Sequence, residues 1–81
     1  MTEGKKIINF LEYIVKHLVE DTESVKIEIK EEERNLILRL KVAPGDRGRI
    51  IGKQGKMIKA LRRLINAVSE TEKRVALELL E

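Results

Sequence analysis

Apolar and polar residues along this 81-residue chain alternate with two different periods, and the changes of period divide it into elements. Over residues 5–20, Ile7, Phe10, Leu11, Ile14, Val15 and Leu18 recur at spacings of three and four, with Asn9, Glu12, Lys16 and Glu20 on the other side, which predicts a helix. Asp21, Thr22 and Ser24 mark a turn. Residues 25–30 (VKIEIK) alternate strictly, as do residues 36–42 (LILRLKV), so each reads as a strand with one buried face. The charged link EEERN is too short for a crossover, so these two strands should pair antiparallel. Pro44 ends the second strand, and Asp46 is placed to cap a short helix over residues 46–51. A longer helix is predicted from Gly55 to about Ser69, with Met57, Ile58, Leu61, Leu64, Ile65 and Val68 as its apolar stripe. Residues 74–80 (RVALELL) form a last strand with Val75, Leu77 and Leu79 inward. The order α-β-β-α-α-β predicts an α+β domain whose helices cover one face of a three-stranded sheet.

Composition narrows this picture. Eighty-one residues make a single domain, 1–81, with residues 1–4 expected to fray. A chain this short buries roughly 60–65% of its unfolded surface, so every apolar position counts. There is no cysteine, hence no disulfide and no thiolate metal site. Asn9, Glu12 and Lys16 interrupt the first apolar stretch, which excludes a membrane span or signal-peptide core there and leaves a soluble cytoplasmic protein, without membrane partners, as the expectation. The net charge of +3 is unevenly spread. Residues 1–43 carry eight Lys/Arg against nine Asp/Glu, a net of −1, and residues 44–81 carry nine against five, a net of +4. Between Asp46 and Glu70 stand seven basic residues and no acid: Arg47, Arg49, Lys53, Lys56, Lys59, Arg62 and Arg63. Local charge of one sign selects anionic partners more strongly than the total does.

Two G-x-x-G pairs lie in this half. Gly45–Gly48 follows a proline at a strand end and contains an acid, which reads as an ordinary turn into a helix. Gly52-Lys53-Gln54-Gly55 lies between two helical segments, contains no acid and opens the basic helix. Glycines there allow a sharp turn and close approach of an anionic backbone. Amides at the helix start add partial positive charge, and Lys53 and Gln54 can donate to phosphate oxygens. The competing reading is a tight helix–turn–helix corner with solvated side chains. A Walker loop is excluded because Gly48 to Gly52 is one residue short and Gln54 replaces the hydroxyl, and a dinucleotide fingerprint fails at Ile50.

The run Ile50-Ile51-Gly52-Lys53-Gln54-Gly55-Lys56-Met57-Ile58 resembles the KH-domain signature, and the element order resembles the type II KH arrangement. The short chain with VAPGDRGRIIGKQGKMIKALRRLINA is most similar to the small bacterial KhpA family. That resemblance implies single-stranded RNA held in a groove, with the short helix, the loop and the start of the next helix as one wall and the second strand as the other. Carried onto this chain, Gly52, Lys53, Gln54 and Gly55 hold the RNA backbone. Ile50 and Ile51 lie partly on the groove floor and partly in the core, Lys56, Lys59 and Arg63 add charge along one wall, and Arg47 and Arg49 extend the path. On the second strand Ile37 and Arg39 oppose the Leu36/Leu38/Leu40 face, and either face could border the groove. Single-stranded DNA satisfies the same contacts, because no residue marks a 2′-hydroxyl contact. The only aromatic residues, Phe10 and Tyr13, lie on the first helix, so base-stacking platforms are missing and modest affinity with little sequence selectivity is expected. A single such groove is small, so useful affinity calls for a second copy or a partner. The resemblance likewise implies a homodimer or a heterodimer with a KhpB/Jag-like KH protein, and a role in RNA regulation as a chaperone or post-transcriptional regulator.

Nothing in the chain suggests catalysis or a cofactor. His17 has no second ligand or base nearby and reads as a solvated surface residue; the acids at 31–33 read as a solvated hairpin. No Ser/His/Asp constellation exists. The principal alternative to RNA binding is a dimerisation or protein-interaction module, motivated by the small core and by the apolar pair Ile50/Ile51.

Overall fold

The structure, a computed structural model, describes residues 2–81. The elements follow the expected order: α1 (Thr2–Leu18), β1 (Lys26–Glu31), β2 (Asn35–Lys41), the short α2 (Arg47–Ile51), α3 (Lys56–Val68) and β3 (Arg74–Leu79). The expectation of a frayed 1–4 segment falls in part on Met1, which lies outside the described residues; the helix itself begins at Thr2. β1 and β2 pair antiparallel and close at Glu32–Asn35 through a two-residue link, with the Glu32 amide donating to the Asn35 carbonyl at 2.8 Å. β3 pairs parallel to β2 on the other side, giving the order β1-β2-β3. A parallel neighbour requires a crossover, and α2 and α3 supply it.

The helices cover one sheet face. Leu36, Leu38 and Leu40 of the central strand are buried against Ile7, Leu11 and Val15 of α1, Ile58, Leu61 and Ile65 of α3, and Val75 and Leu77 of β3. The predicted stripe of α3 is wider than this core covers. Ile58, Leu61 and Ile65 are buried, whereas Leu64 and Val68 are each 43% exposed. Along β1, burial falls from Val25 through Ile27 to Ile29, which lies beside Gly4, where an added Cβ would come within 2.8 Å of Ile29 Cδ1. The opposite sheet face, including Arg39, is uncovered, and Arg39 pairs there with Glu78 at 3.6 Å.

Asp46 departs from its expected role. It precedes α2 but makes no side-chain cap to it. Its carboxylate points back to the end of α1, where Oδ1 accepts the Glu20 amide and Oδ2 the Asp21 amide, both at 3.1 Å. It is the one buried charged group among the described residues. At the end of α1 the chain turns away from the helix path, and the Asp46 carboxylate takes the Glu20 and Asp21 amides, joining the end of α1 to the start of α2. Those two backbone donors, with the Arg49 guanidinium in addition, hold the Asp46 carboxyl below the ordinary carboxylate range against the opposing effect of burial.

A lowered folded-state pKa means the unfolded chain binds the proton more readily. The stabilisation from Asp46 is therefore complete above about pH 4, the ordinary aspartate range, and is lost as pH falls through the lower folded-state value. Asp46→Asn replaces one acceptor oxygen with an NH₂ facing a backbone N–H. It should lower the denaturation midpoint at pH 7 and have a smaller effect below pH 3, as denaturant titrations at both pH values would show.

Candidate nucleic-acid interface

The chain leaves α2 with the Gly52 amide donating to the Gly48 carbonyl at 2.9 Å, then turns through Lys53–Gly55 with the Gly55 amide donating to the Gly52 carbonyl at 3.1 Å. Gly52 adopts φ 77°, ψ 174°, a region essentially restricted to glycine. A Cβ there would lie 2.5 Å from Met57 Cβ and 2.7 Å from the Met57 amide nitrogen, so conformation and space both demand glycine. Gly55 is left-handed at φ 75°, ψ 15°, but nothing lies within 4 Å of a Cβ at that position. Gln54 between them is also left-handed, at φ 57°, ψ 26°, a conformation that costs a non-glycine residue about 1–2 kcal/mol. It is the one described non-glycine residue with positive φ. The turn thus holds the Lys53 and Gln54 side chains out in solvent, with no hydrogen bond or ion pair to either among the described residues. By contrast, no conformational demand appears at Gly45 or Gly48, in keeping with an ordinary turn.

Hydrogen bonds from α3 to the sheet locate the rest of the site. Arg62 donates through Nε and Nη2 to the Leu77 carbonyl at 3.4 and 3.3 Å, and Asn66 Nδ2 donates to the Val75 carbonyl at 3.1 Å. The helix therefore runs antiparallel to β3, and its first turn with the 52–55 loop lies toward the Leu79–Leu80 end. Arg47 Nε donates to the Leu80 carbonyl at 3.2 Å and sets the start of α2 at the same end. Arg62 and Asn66 thus tie one flank of α3 to the outer edge of β3. Of the two β2 faces expected to border the groove, one is closed. β2 is the central strand, flanked on both sides, with its Leu36/Leu38/Leu40 face buried. The strand beside this flank of α3 is β3.

The predicted residues separate accordingly. Gly52, Lys53, Gln54, Gly55, Lys56 and Lys59 are continuous along the loop and the first turn of α3. Lys56, Lys59 and Arg63 border a shallow depression of about 510 Å³ together with Ala60 and Leu64, so Arg63 faces away from the β3 edge. Ile50 is 0% exposed and belongs to the core, which removes it from both groove floor and partner surface; Ile51 is half-buried and keeps some surface. Arg49 is exposed but paired, with Glu20 at 3.5 Å and Asp46 at 3.3 Å, and Arg47 holds Leu80, so both have partners within the fold. Sequence reasoning missed Arg62 and Asn66 as the residues that tie α3 to the β3 edge. Their i, i+4 spacing was visible, but not the strand edge they face.

Comparison with known proteins identifies the chain's relatives. The family profile described as KhpA/KhpB, KH domain, matches residues 8–79. The chain belongs to that family. Curated relatives named RNA-binding protein KhpA include one from Borreliella burgdorferi, 40% identical over 82 residues and covering all of both chains. Another, from Clostridium acetobutylicum, is 45% identical over 71 residues, covering 86% of this chain and 95% of the relative. A third, from Chlamydia trachomatis serovar D, is 44% identical over 73 residues, covering 89% and 94%. No solved structure gives a significant match.

The two loop glycines should respond differently to alanine. Gly52→Ala meets both a forbidden conformation and the Met57 backbone and should cost about 3 kcal/mol or more. Gly55→Ala meets open space and should cost about 1–2 kcal/mol. Denaturant midpoints of the two variants check the difference.

Proposed function

We propose that this chain is a non-catalytic RNA-binding domain whose GKQG loop clamps the backbone of about four nucleotides of single-stranded RNA. The observation that carries the reading is the loop itself, where a glycine-dependent, locally strained turn presents Lys53 and Gln54 unpaired at the start of an acid-free basic helix. The unpaired amides of the turn and the α3 dipole favour an anion there. The printed names of the relatives support the same assignment. Strand continuation along Lys59 and the β3 edge gives the bases a wall without an aromatic platform, which keeps selectivity low. We extend the reading to a role as RNA chaperone or post-transcriptional regulator in the cytoplasm, a role that weak contact with many sequences would suit. No helix among the described residues is long and apolar enough to cross a membrane.

Small grooves gain affinity by pairing, and we extend the proposal to a dimer of two such domains, either two copies or this chain with a KhpB/Jag-like KH protein. The apolar flank fits the homodimer. Tyr13, Leu64 and Val68 are exposed on the adjoining flanks of α1 and α3, and Leu64 lies on the side of α3 opposite Arg62. Antiparallel packing of two α3 helices through Leu64 would leave both loops open. With Ile50 buried, the pair Ile50/Ile51 no longer motivates an interaction surface over the loop.

Lys53→Asp with Gln54→Asp should abolish binding to single-stranded RNA while preserving the fold, because aspartate tolerates the left-handed conformation of position 54 better than most residues do. Wild-type binding should fall with a log–log salt slope of about −2, for phosphate contacts by Lys53, Lys56 and Lys59 at about 0.7 each. Wild-type affinity in the double variant, by fluorescence anisotropy, would sink the loop assignment. Leu64→Glu should leave RNA binding by the monomer intact and abolish any concentration-dependent rise in mass seen by light scattering.

A further inference from the structure

The outward side of α3 carries an apolar line with cations along one border only. Successive helical residues turn by about 100°, so Ala60, Leu64 and Ala67 fall within an arc of about 60°. Lys56, Lys59 and Arg63 all lie on one side of that arc, and Met57 and Val68 lie on the other, toward the core. Ala60, Leu64 and Ala67 are exposed, and Lys56, Lys59 and Arg63 border one shallow depression with Ala60 and Leu64. No hydrogen bond or ion pair engages the three cationic side chains among the described residues. The nearest acids in sequence are Asp46 and Glu70, the latter 3.8 Å from Lys6.

Pairing through Leu64 gathers these cations in a way one copy cannot. A contact made by the same face of two copies carries a two-fold axis. For antiparallel helices side by side, that axis passes through the seam at right angles to both. A flank that faces along the axis therefore faces the same way in both copies. The cations occupy one flank, so three from each copy come together on one side of the pair. They form a strip from one GKQG loop across the seam to the other. Lys56 to Leu64 is eight residues, about 12 Å at 1.5 Å per residue, which sets the loops about 25 Å apart along the strip. Mutual repulsion of the cations opposes pairing when the strip is bare, so an anionic strand upon it strengthens the pair, and pairing strengthens the hold on the strand by the same factor.

A nucleic-acid strand has a direction, and each loop grips it in the same local sense. The two-fold axis reverses that sense between copies. One strand cannot run straight from loop to loop in the favoured sense at both. Two strands, one per loop, lie antiparallel across the strip. Antiparallel strands are the ones that base-pair, and the cations beneath offset the repulsion between their phosphates.

We propose that the dimer paired through α3 is a strand annealer: each GKQG loop holds one RNA strand, Lys56, Lys59 and Arg63 of both copies neutralise the two backbones, and the two-fold axis presents the strands antiparallel. The inference rests on the RNA-binding and pairing readings above. It gives the chaperone role a mechanism in which the monomer binds a strand but does not anneal it to another.

The test uses the full chain and two complementary RNA strands of about sixteen nucleotides, each long enough to fill a loop and extend over the strip. One carries a donor dye and the other an acceptor, and energy transfer follows annealing. Wild type should speed annealing at least about tenfold, and the acceleration should rise with the square of protein concentration in the range where light scattering shows the dimer forming. Leu64→Gln adds no charge; it should bind either single strand by fluorescence anisotropy yet leave annealing at the protein-free rate. Arg63→Gln removes one cation from each half of the strip and should lower the acceleration several-fold. Circular dichroism melts establish that both variants are folded. Acceleration by a monomeric Leu64→Gln equal to that of wild type, a first-power dependence on wild-type concentration, or no acceleration by a wild type that binds both strands would overturn the annealer. A wild type that stays monomeric at every concentration would overturn the pairing reading, and one that binds neither strand would overturn the RNA-binding reading, each taking the inference with it.

Discussion

The parallel pairing of β2 with β3 is the constraint from which the rest of the molecule follows. A chain that leaves the sheet at Lys41 and re-enters beside the same strand in the same direction at Arg74 must cross back over one face. Thirty-odd residues are available for that passage, enough for a long return helix but not for a gradual bend into it. The reversal is concentrated at residues 52–55, where the backbone leaves the space open to most residues and Gly52 lies against Met57. The corner projects because a helix approaches it from one side and departs on the other. The exposed loop is thus a consequence of the crossover, and the basic side chains upon it are what the sequence adds.

Much of the architecture could be read from periodicity. Strict alternation in VKIEIK and LILRLKV, with a link too short for anything but a hairpin, specified an antiparallel pair. The three-and-four spacing in α1 and α3 located both helices within a few residues. Periodicity does not reveal how wide a neighbour is. Leu64 and Val68 continue the stripe of α3, yet the sheet and α1 cover only the Ile58/Leu61/Ile65 portion. Asp46 shows a different limit. An acid just before a helix suggests a local cap, and nothing in the nearby sequence shows that two amides some twenty-five residues earlier need an acceptor more.

The candidate site was legible in proportion to how local its parts are. Gly52-Lys53-Gln54-Gly55 works through its own backbone, and its importance could be argued from adjacent residues. The arginines could not be sorted in that way. Arg47, Arg49 and Arg62 all stand in the same acid-free run and look equivalent in sequence. Their partners, Leu80, Glu20 with Asp46, and Leu77, come from elements far along the chain, so only tertiary structure shows which part of the fold each one holds. Ile50 followed the same rule in reverse: next to Ile51 it looked like half of an exposed pair, and the turn of α2 sent it into the core.

The capped edge of β3 also bears on how the protein behaves at high concentration. An open strand edge is a template on which another strand can add, and such additions lead to ordered aggregates. Growth needs both donors and acceptors in register. Along Val75–Leu77 the acceptors are occupied by side chains anchored on α3, so an incoming strand finds half its ladder missing and a cation in its way. The helix that roofs this side of the sheet also closes its border, and a domain with a very small core can leave β3 at the margin without exposing a growth point for fibrils.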